Sequence, residues 1–155
     1  KSTPWLTERH GYDPTYKEEA SVNLKSAEID DMDLLLSNDS HINRDELENL
    51  IRLNRVFLIE YEGTFAGWFR YNLFWDAIPF LNLLYIFKEF RGSGLGRQAV
   101  TFWEQDMKRA GYSLVMTSTV SGEFAQHFYY KLGYQAVGGF MLANEPYEII
   151  LQKCL

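Results

Sequence analysis

The stretch FLNLLYIFKEFRGSGLGRQAVTFWEQDMKRAG, Phe80 to Gly111, joins an apolar strand pattern, three alternating glycines and a helical stripe without a break. Few folds accept that order. Pro79 marks the entry to the strand, and FLNLLYIF is long and apolar enough to be buried. After the glycines, Val100, Trp103 and Met107 fall on one face at helical spacing, and Gly111 stops the helix. A strand that turns through glycine into a helix belongs to a chain that mixes strands and helices in layers.

The rest of the chain agrees. VNLK, Val22 to Lys25, reads as a first strand. EIDDMDLLLSND follows, with Asp30 or Asp31 as N-cap and Leu34, Leu35 and Leu36 as its buried side. NRDELENLIRL carries Leu47, Leu50, Ile51 and Leu53 on a second helix. VFLIEYEGTFAGWFRYNLFW reads as a hairpin turning at Glu62-Gly63. YSLVMTST is a buried strand, EFAQHFYYKLG a helix closed by Gly133, and YQAVGGFML and YEIILQK the last strands. The predicted order is β, α, α, β, β, β, α, β, α, β, β, a three-layer α/β domain with parallel and antiparallel pairs. Residues 1 to 20 stand apart: Pro4, Gly11 and Pro14 break any period among Trp5, Tyr12 and Tyr16. They read as an N-terminal arm before a domain over 21–155.

A helix start leaves backbone N–H groups unpaired and carries the positive end of the dipole. Gly92, Gly94 and Gly96 let a ligand approach that backbone, and Arg91 and Arg97 add charge. Together they predict an anion site, most naturally for phosphate or pyrophosphate. A P-loop requires Gly-Lys-Ser/Thr, whereas Gly96 is followed by Arg97 and Gln98. A dinucleotide fingerprint requires G-x-G-x-x-G, whose last spacing is missed. A third pattern is Arg or Gln, two residues, Gly, one residue, Gly or Ala; Arg91, Gly94 and Gly96 match it. A tight turn with a helix cap accounts for the short motif equally well.

Composition narrows the function classes. The net charge of -6 argues against general nucleic-acid binding. No apolar run is long enough to span a bilayer, and no signal peptide is visible. Cys154 is the only cysteine, so an internal disulfide and a Cys-based metal site are excluded, and no metal is expected. A reducing cytoplasm fits.

The stretch LLYIFKEFRGSGLGRQAV resembles the fourth strand, phosphate loop and third helix of the GNAT superfamily of acetyltransferases. Further along, AQHFYYKLGYQ resembles that family's second signature: Ala, two residues, Phe-Tyr, one residue, Lys, one residue, Gly-aromatic. The two stand in the family's order, and the resemblance runs from about residue 22 to the C-terminus. It implies an α/β/α fold with a mixed, mainly antiparallel sheet splayed between strands four and five. It also implies acetyl-CoA as co-substrate and an N-acetyltransferase acting by direct attack of a primary amine.

By that resemblance, N–H groups over Arg91, Gly92, Ser93, Gly94, Leu95, Gly96 and Arg97 take the pyrophosphate of coenzyme A. The pantetheine arm lies along Leu84, Tyr85 and Ile86 like a short extra strand. A backbone N–H near Leu84 points at the thioester carbonyl as an oxyanion hole. Tyr129 matches the residue that protonates the departing thiolate, with Tyr130 ranked after it. Some relatives carry a glutamate on the fourth strand as base; here that strand offers only Asn82. Glu145, Glu148 and Asp76 are alternatives. Many relatives hold the pantetheine with an asparagine where this chain has Gly122, leaving Ser118 or Ser121 to substitute.

Strand alternation places Trp68, Arg70 and Asn72 on one face, a pocket wall for the acceptor. Arg70 is then available to a substrate carboxylate or carbonyl. An ordinary solvent-facing hairpin is the competing reading, and His127 reads as surface. The acceptor is a small-molecule or peptide amine, and a homodimer is possible. An acyl-CoA-binding or sensing domain with little catalysis is the alternative function.

Overall fold

The computed structural model describes residues 20–155. The expected arm, residues 1 to 20, lies outside them except for Ala20. The elements are β1 (Val22–Ser26), α1 (Met32–Asn38), α2 (Arg44–Arg52), β2 (Val56–Tyr61), β3 (Thr64–Phe74) and β4 (Ile78–Ile86). They continue with α3 (Leu95–Arg109), β5 (Leu114–Val120), α4 (Ala125–Lys131), β6 (Gln135–Met141) and β7 (Tyr147–Cys154). This is the predicted order, with short 3-10 turns before α1 and after β4.

Local chemistry sets the boundaries. Glu62 and Gly63 both have positive φ, 49° and 77°, the two-residue turn that matches strand twist. Asn43 caps α2 by accepting a hydrogen bond from the Glu46 N–H at 2.9 Å. The buried side of α1 differs from expectation at one position: Met32 and Leu35 are buried and Leu36 packs against them half-buried, while Leu34 is 41% exposed. Helical spacing explains it, since three residues in succession spread over more than half the helix circumference and cannot all reach the core. Leu53 likewise lies past the last turn of α2 and is exposed.

The seven strands form one sheet in the order β1-β2-β3-β4-β5-β7-β6. Every pair is antiparallel except β4 with β5. One face packs on α3 and α4 through Phe57, Phe69, Tyr71, Trp103, Tyr129 and Tyr134. The other packs on α1 and α2 through Leu35, Leu47, Ile51, Leu58 and Trp68. The expected three layers are thus present.

The splay between β4 and β5 is explicit. They pair only at Phe80↔Met116 and Leu81↔Thr117, and β4 then runs on alone to Ile86. On its other side β4 pairs Leu81 with Tyr71 and Leu83 with Arg70, leaving Asn82 as the extra residue of a bulge. A bulge bends its strand and increases local twist, and here it falls where the pairing with β5 ends. The Thr117 hydroxyl donates to the Leu81 carbonyl at 2.9 Å and clasps the last paired position.

Candidate active site

Two cavities flank the splay and share Leu84, Ala125 and Tyr129 in their linings. The first, of about 590 Å³, lies between the free end of β4, the glycine loop and α4. The second, of about 630 Å³, takes in the bulge, the end of β5 and the start of β7.

Leu84, Tyr85, Ile86, Arg91, Gly92, Gly94, Leu95, Gly96 and Arg97 all line the first cavity. Gly92 and Gly94 have φ of 78° and 82°, a region open to glycine at no steric cost. Gly94 is the N-cap of α3, and the helix begins with Gln98 N–H bonding to its carbonyl at 3.0 Å. The N–H groups of Leu95, Gly96 and Arg97 precede that bond, so the helix leaves them free of intrahelical partners. Gly96 has a different reason to be small: a Cβ there would come within 3.4 Å of the Phe128 ring. Arg91 is fixed by donating from Nε to the Ile86 carbonyl at 2.8 Å, with its guanidinium over the Tyr85 ring. Ser93 is turned away from the cavity lining, its hydroxyl donating to the Phe90 carbonyl at 2.6 Å.

Tyr129 projects from α4 and is 6% exposed. Burial pushes its hydroxyl up to about 12, with Thr117 opposing part of the rise. It therefore holds its proton across the neutral range. Tyr130, one residue on, is exposed and lines neither cavity, as does His127.

Arg70, Asn82 and Ser118 line the second cavity with Tyr129. Trp68 and Asn72 do not. Trp68 does share a strand face with Arg70, but α1 and α2 cover it at 2% exposure. The expected wall of three residues is therefore reduced to Arg70. That side chain is itself engaged: Nε donates to Asp39 Oδ2 at 2.8 Å and Nη2 approaches Asp39 Oδ1 at 3.4 Å. Asp39 also accepts from the Trp68 indole at 3.2 Å and the His41 N–H at 3.0 Å. Burial raises its carboxyl, but the Arg70 hydrogen bond and charge, with the two N–H donors, outweigh this and hold it below the usual carboxylate range.

Ser121 is exposed and lines neither cavity; its N–H donates to the Tyr147 carbonyl at 2.8 Å. Gly122, where many relatives carry asparagine, has φ of 88°. Of the alternative bases, Glu148 lines the second cavity while Glu145 and Asp76 do not. Sequence reasoning passed over His41, Thr117, Thr119 and Glu123 in the second cavity, and Phe124 and Phe128 in the first. Phe128 stood in a quoted motif; Asp39 and His41 left no local signal, because a loop between two helices gives no register.

Similarity to known proteins bears on this geometry. No curated protein sequence matches the chain. A GNAT acetyltransferase from Bacillus cereus has a similar structure, with a TM-score of 0.70 at 22% identity over 86% of this chain and 97% of that one. The N-acetyltransferase PaiA of Thermoplasma acidophilum, solved with coenzyme A, gives 0.69 at 16% identity over 87% and 99%. Arabidopsis thaliana Naa50, solved with the bisubstrate analogue CoA-Ac-MVNAL, gives 0.70 at 15% identity over 86% and 98%. Residues 18–134 match the acetyltransferase (GNAT) family model. With that match over most of the chain, and the splayed sheet and glycine-capped helix in place, the chain belongs to the GNAT acetyltransferase family and is an acyltransferase enzyme.

Proposed function

We propose that the protein transfers an acetyl group from acetyl-CoA to a primary amine of a small molecule or peptide, by direct attack, in the reducing cytoplasm. The observation that carries this reading is the meeting of the two cavities at Tyr129, in the gap where β4 leaves β5.

The first cavity fits coenzyme A in its donor set. Unpaired N–H groups at the start of α3 and the Arg91 and Arg97 side chains suit a pyrophosphate. The unpaired edge of β4 from Leu84 to Ile86 offers backbone groups to an extended amide chain. When bound there, acetyl-CoA supplies an activated acyl group as a thioester. The N–H near Leu84 serves as the donor toward the carbonyl oxygen. The Tyr129 hydroxyl, protonated at neutral pH, supplies the proton that the departing sulfur takes up. The acceptor reaches this point from the second cavity, past Asn82 and Arg70. No carboxylate stands on β4; on that polar side the acceptor ammonium gives up its proton to water, with Glu148 as the alternative base in the same lining.

Calorimetry with acetyl-CoA tests the reading, comparing wild type with Gly94→Trp, alongside thiol release on a panel of amines. Saturable binding that the variant abolishes, with thiol release on one amine class, supports it. Binding without turnover on any amine shifts it to a sensing domain. No binding overturns it.

A further inference from the structure

The acceptor side of the site carries a charge that the reaction does not use. Arg70 and Asp39 neutralise each other across 2.8 Å. Two further carboxylates, Glu123 and Glu148, line the same cavity. Among the described residues neither has an ion-pair or side-chain hydrogen-bond partner. Both are brought there through Val120. Sheet register sets Glu148 on β7 opposite Val120 on β5. The turn into α4 returns Glu123, whose N–H donates to the Val120 carbonyl at 3.3 Å. Next to Val120 stands Thr119, which is 6% exposed and lines the cavity too; its hydroxyl has no hydrogen-bond partner among the described residues. A buried hydroxyl without a partner is uncommon and costs stability unless a ligand or water satisfies it.

We propose that the acceptor is a small amine with a second cationic group, which Glu123 and Glu148 receive beside the Thr119 hydroxyl. This rests on the acetyl-transfer reading above and deepens it. The logic is electrostatic. Asp39, behind the lining, answers the Arg70 charge, so Glu123 and Glu148 leave two negative charges facing the cavity. The amine that reacts must be neutral when it attacks, so it offsets neither carboxylate at that moment. A second ammonium elsewhere on the acceptor does. A carboxylate on the acceptor meets like charge and finds Arg70 already engaged. The cavity, about 630 Å³, is of a size for a small molecule.

Binding measures this independently of turnover. Putrescine, butylamine and γ-aminobutyrate share one chain length and differ at the far end: ammonium, methyl, carboxylate. Each is titrated by calorimetry into the CoA-saturated protein. Putrescine binds tightest and γ-aminobutyrate weakest. The advantage of putrescine over butylamine falls about fivefold in Glu148→Gln and in Glu123→Gln, and further in the double variant. Added salt erodes it in wild type. CoA affinity, read in the same cell, reports that each variant is folded and tests the acetyl-transfer reading separately. The proposal is overturned if putrescine has no advantage over butylamine, if both substitutions leave that advantage unchanged, or if none of the three amines binds to protein that binds CoA.

Discussion

Arg70 on β3 donates from Nε to Asp39 Oδ2 at 2.8 Å, and the two side chains are 8% and 1% exposed. The bond joins the strand next to β4 to the connection between α1 and α2, beside the second cavity. Buried pairs of this kind are costly to break, because the surviving charge is stranded away from water. Asp39→Asn and Arg70→Met each lower unfolding free energy by about 3–5 kcal/mol. The paired change Asp39→Leu with Arg70→Met costs less than either alone. Urea denaturation of the variants measures this; independent, additive losses would show that the two residues do not act as a pair.

The same pair predicts an acid limb of stability. The Asp39 carboxyl is held below its ordinary value in the fold. Its contribution is therefore full above the unfolded value, about pH 4, and is lost as pH falls through the lower folded value. Wild type loses stability on acidification through that range. Asp39→Asn, already destabilised, lacks this part of the slope. Parallel slopes in the two proteins would contradict the assignment.

Removing the hydroxyl in Tyr129→Phe lowers kcat by a factor on the order of 10² or more, the usual scale for a positioned general acid. KM for acetyl-CoA moves far less, because the change touches proton transfer more than CoA binding. With the phenol pushed up to about 12, the kcat profile carries no basic limb from this group until pH nears that value. A wild-type profile that falls near pH 9 and flattens in Tyr129→Phe would place the acid's ionisation elsewhere than the buried geometry implies.

Gly94 has φ of 82°, and a Cβ there meets nothing within 4 Å. Any cost of Gly94→Ala is therefore conformational rather than steric, about 1–2 kcal/mol for a left-handed non-glycine residue. If the chain relieves it by re-turning the loop, the N–H groups at the start of α3 move out of line. We expect a CoA Kd about tenfold higher in calorimetry, with a lower thermal midpoint. Gly96→Leu tests a different failure, since its side chain must displace Phe128, whose ring lies 3.4 Å from the Cβ position. Unchanged CoA affinity in both variants would remove the loop from the binding site.

Much of this molecule is readable along the chain because its signals are local. The hairpin turn at Glu62 and Gly63, the stripe of Val100, Trp103 and Met107, and the glycines at 92 and 94 depend on a few neighbouring residues. Backbone preference and hydrophobic period act over that range. The glycine turn that caps α3 was legible for the same reason: a strand, a left-handed glycine and a helical stripe follow one another within a few residues. The second cavity was less legible. Trp68, Arg70 and Asn72 do alternate as a strand should, but alternation names a face and not what covers it. Here α1 and α2 cover Trp68, leaving Arg70 to the cavity and Asn72 outside it.

By itself the sequence determined the element order, the strand–glycine–helix junction and the helix that carries Tyr129, since each is a short-range preference of the backbone. Only the tertiary structure decided where β4 parts from β5, that Arg70 meets Asp39, and that Glu123 and Glu148 come to the same end of β5. Those are contacts between residues far apart in the chain. They are settled by sheet register, by the bulge at Asn82 and by packing, and none of these is written in any single segment.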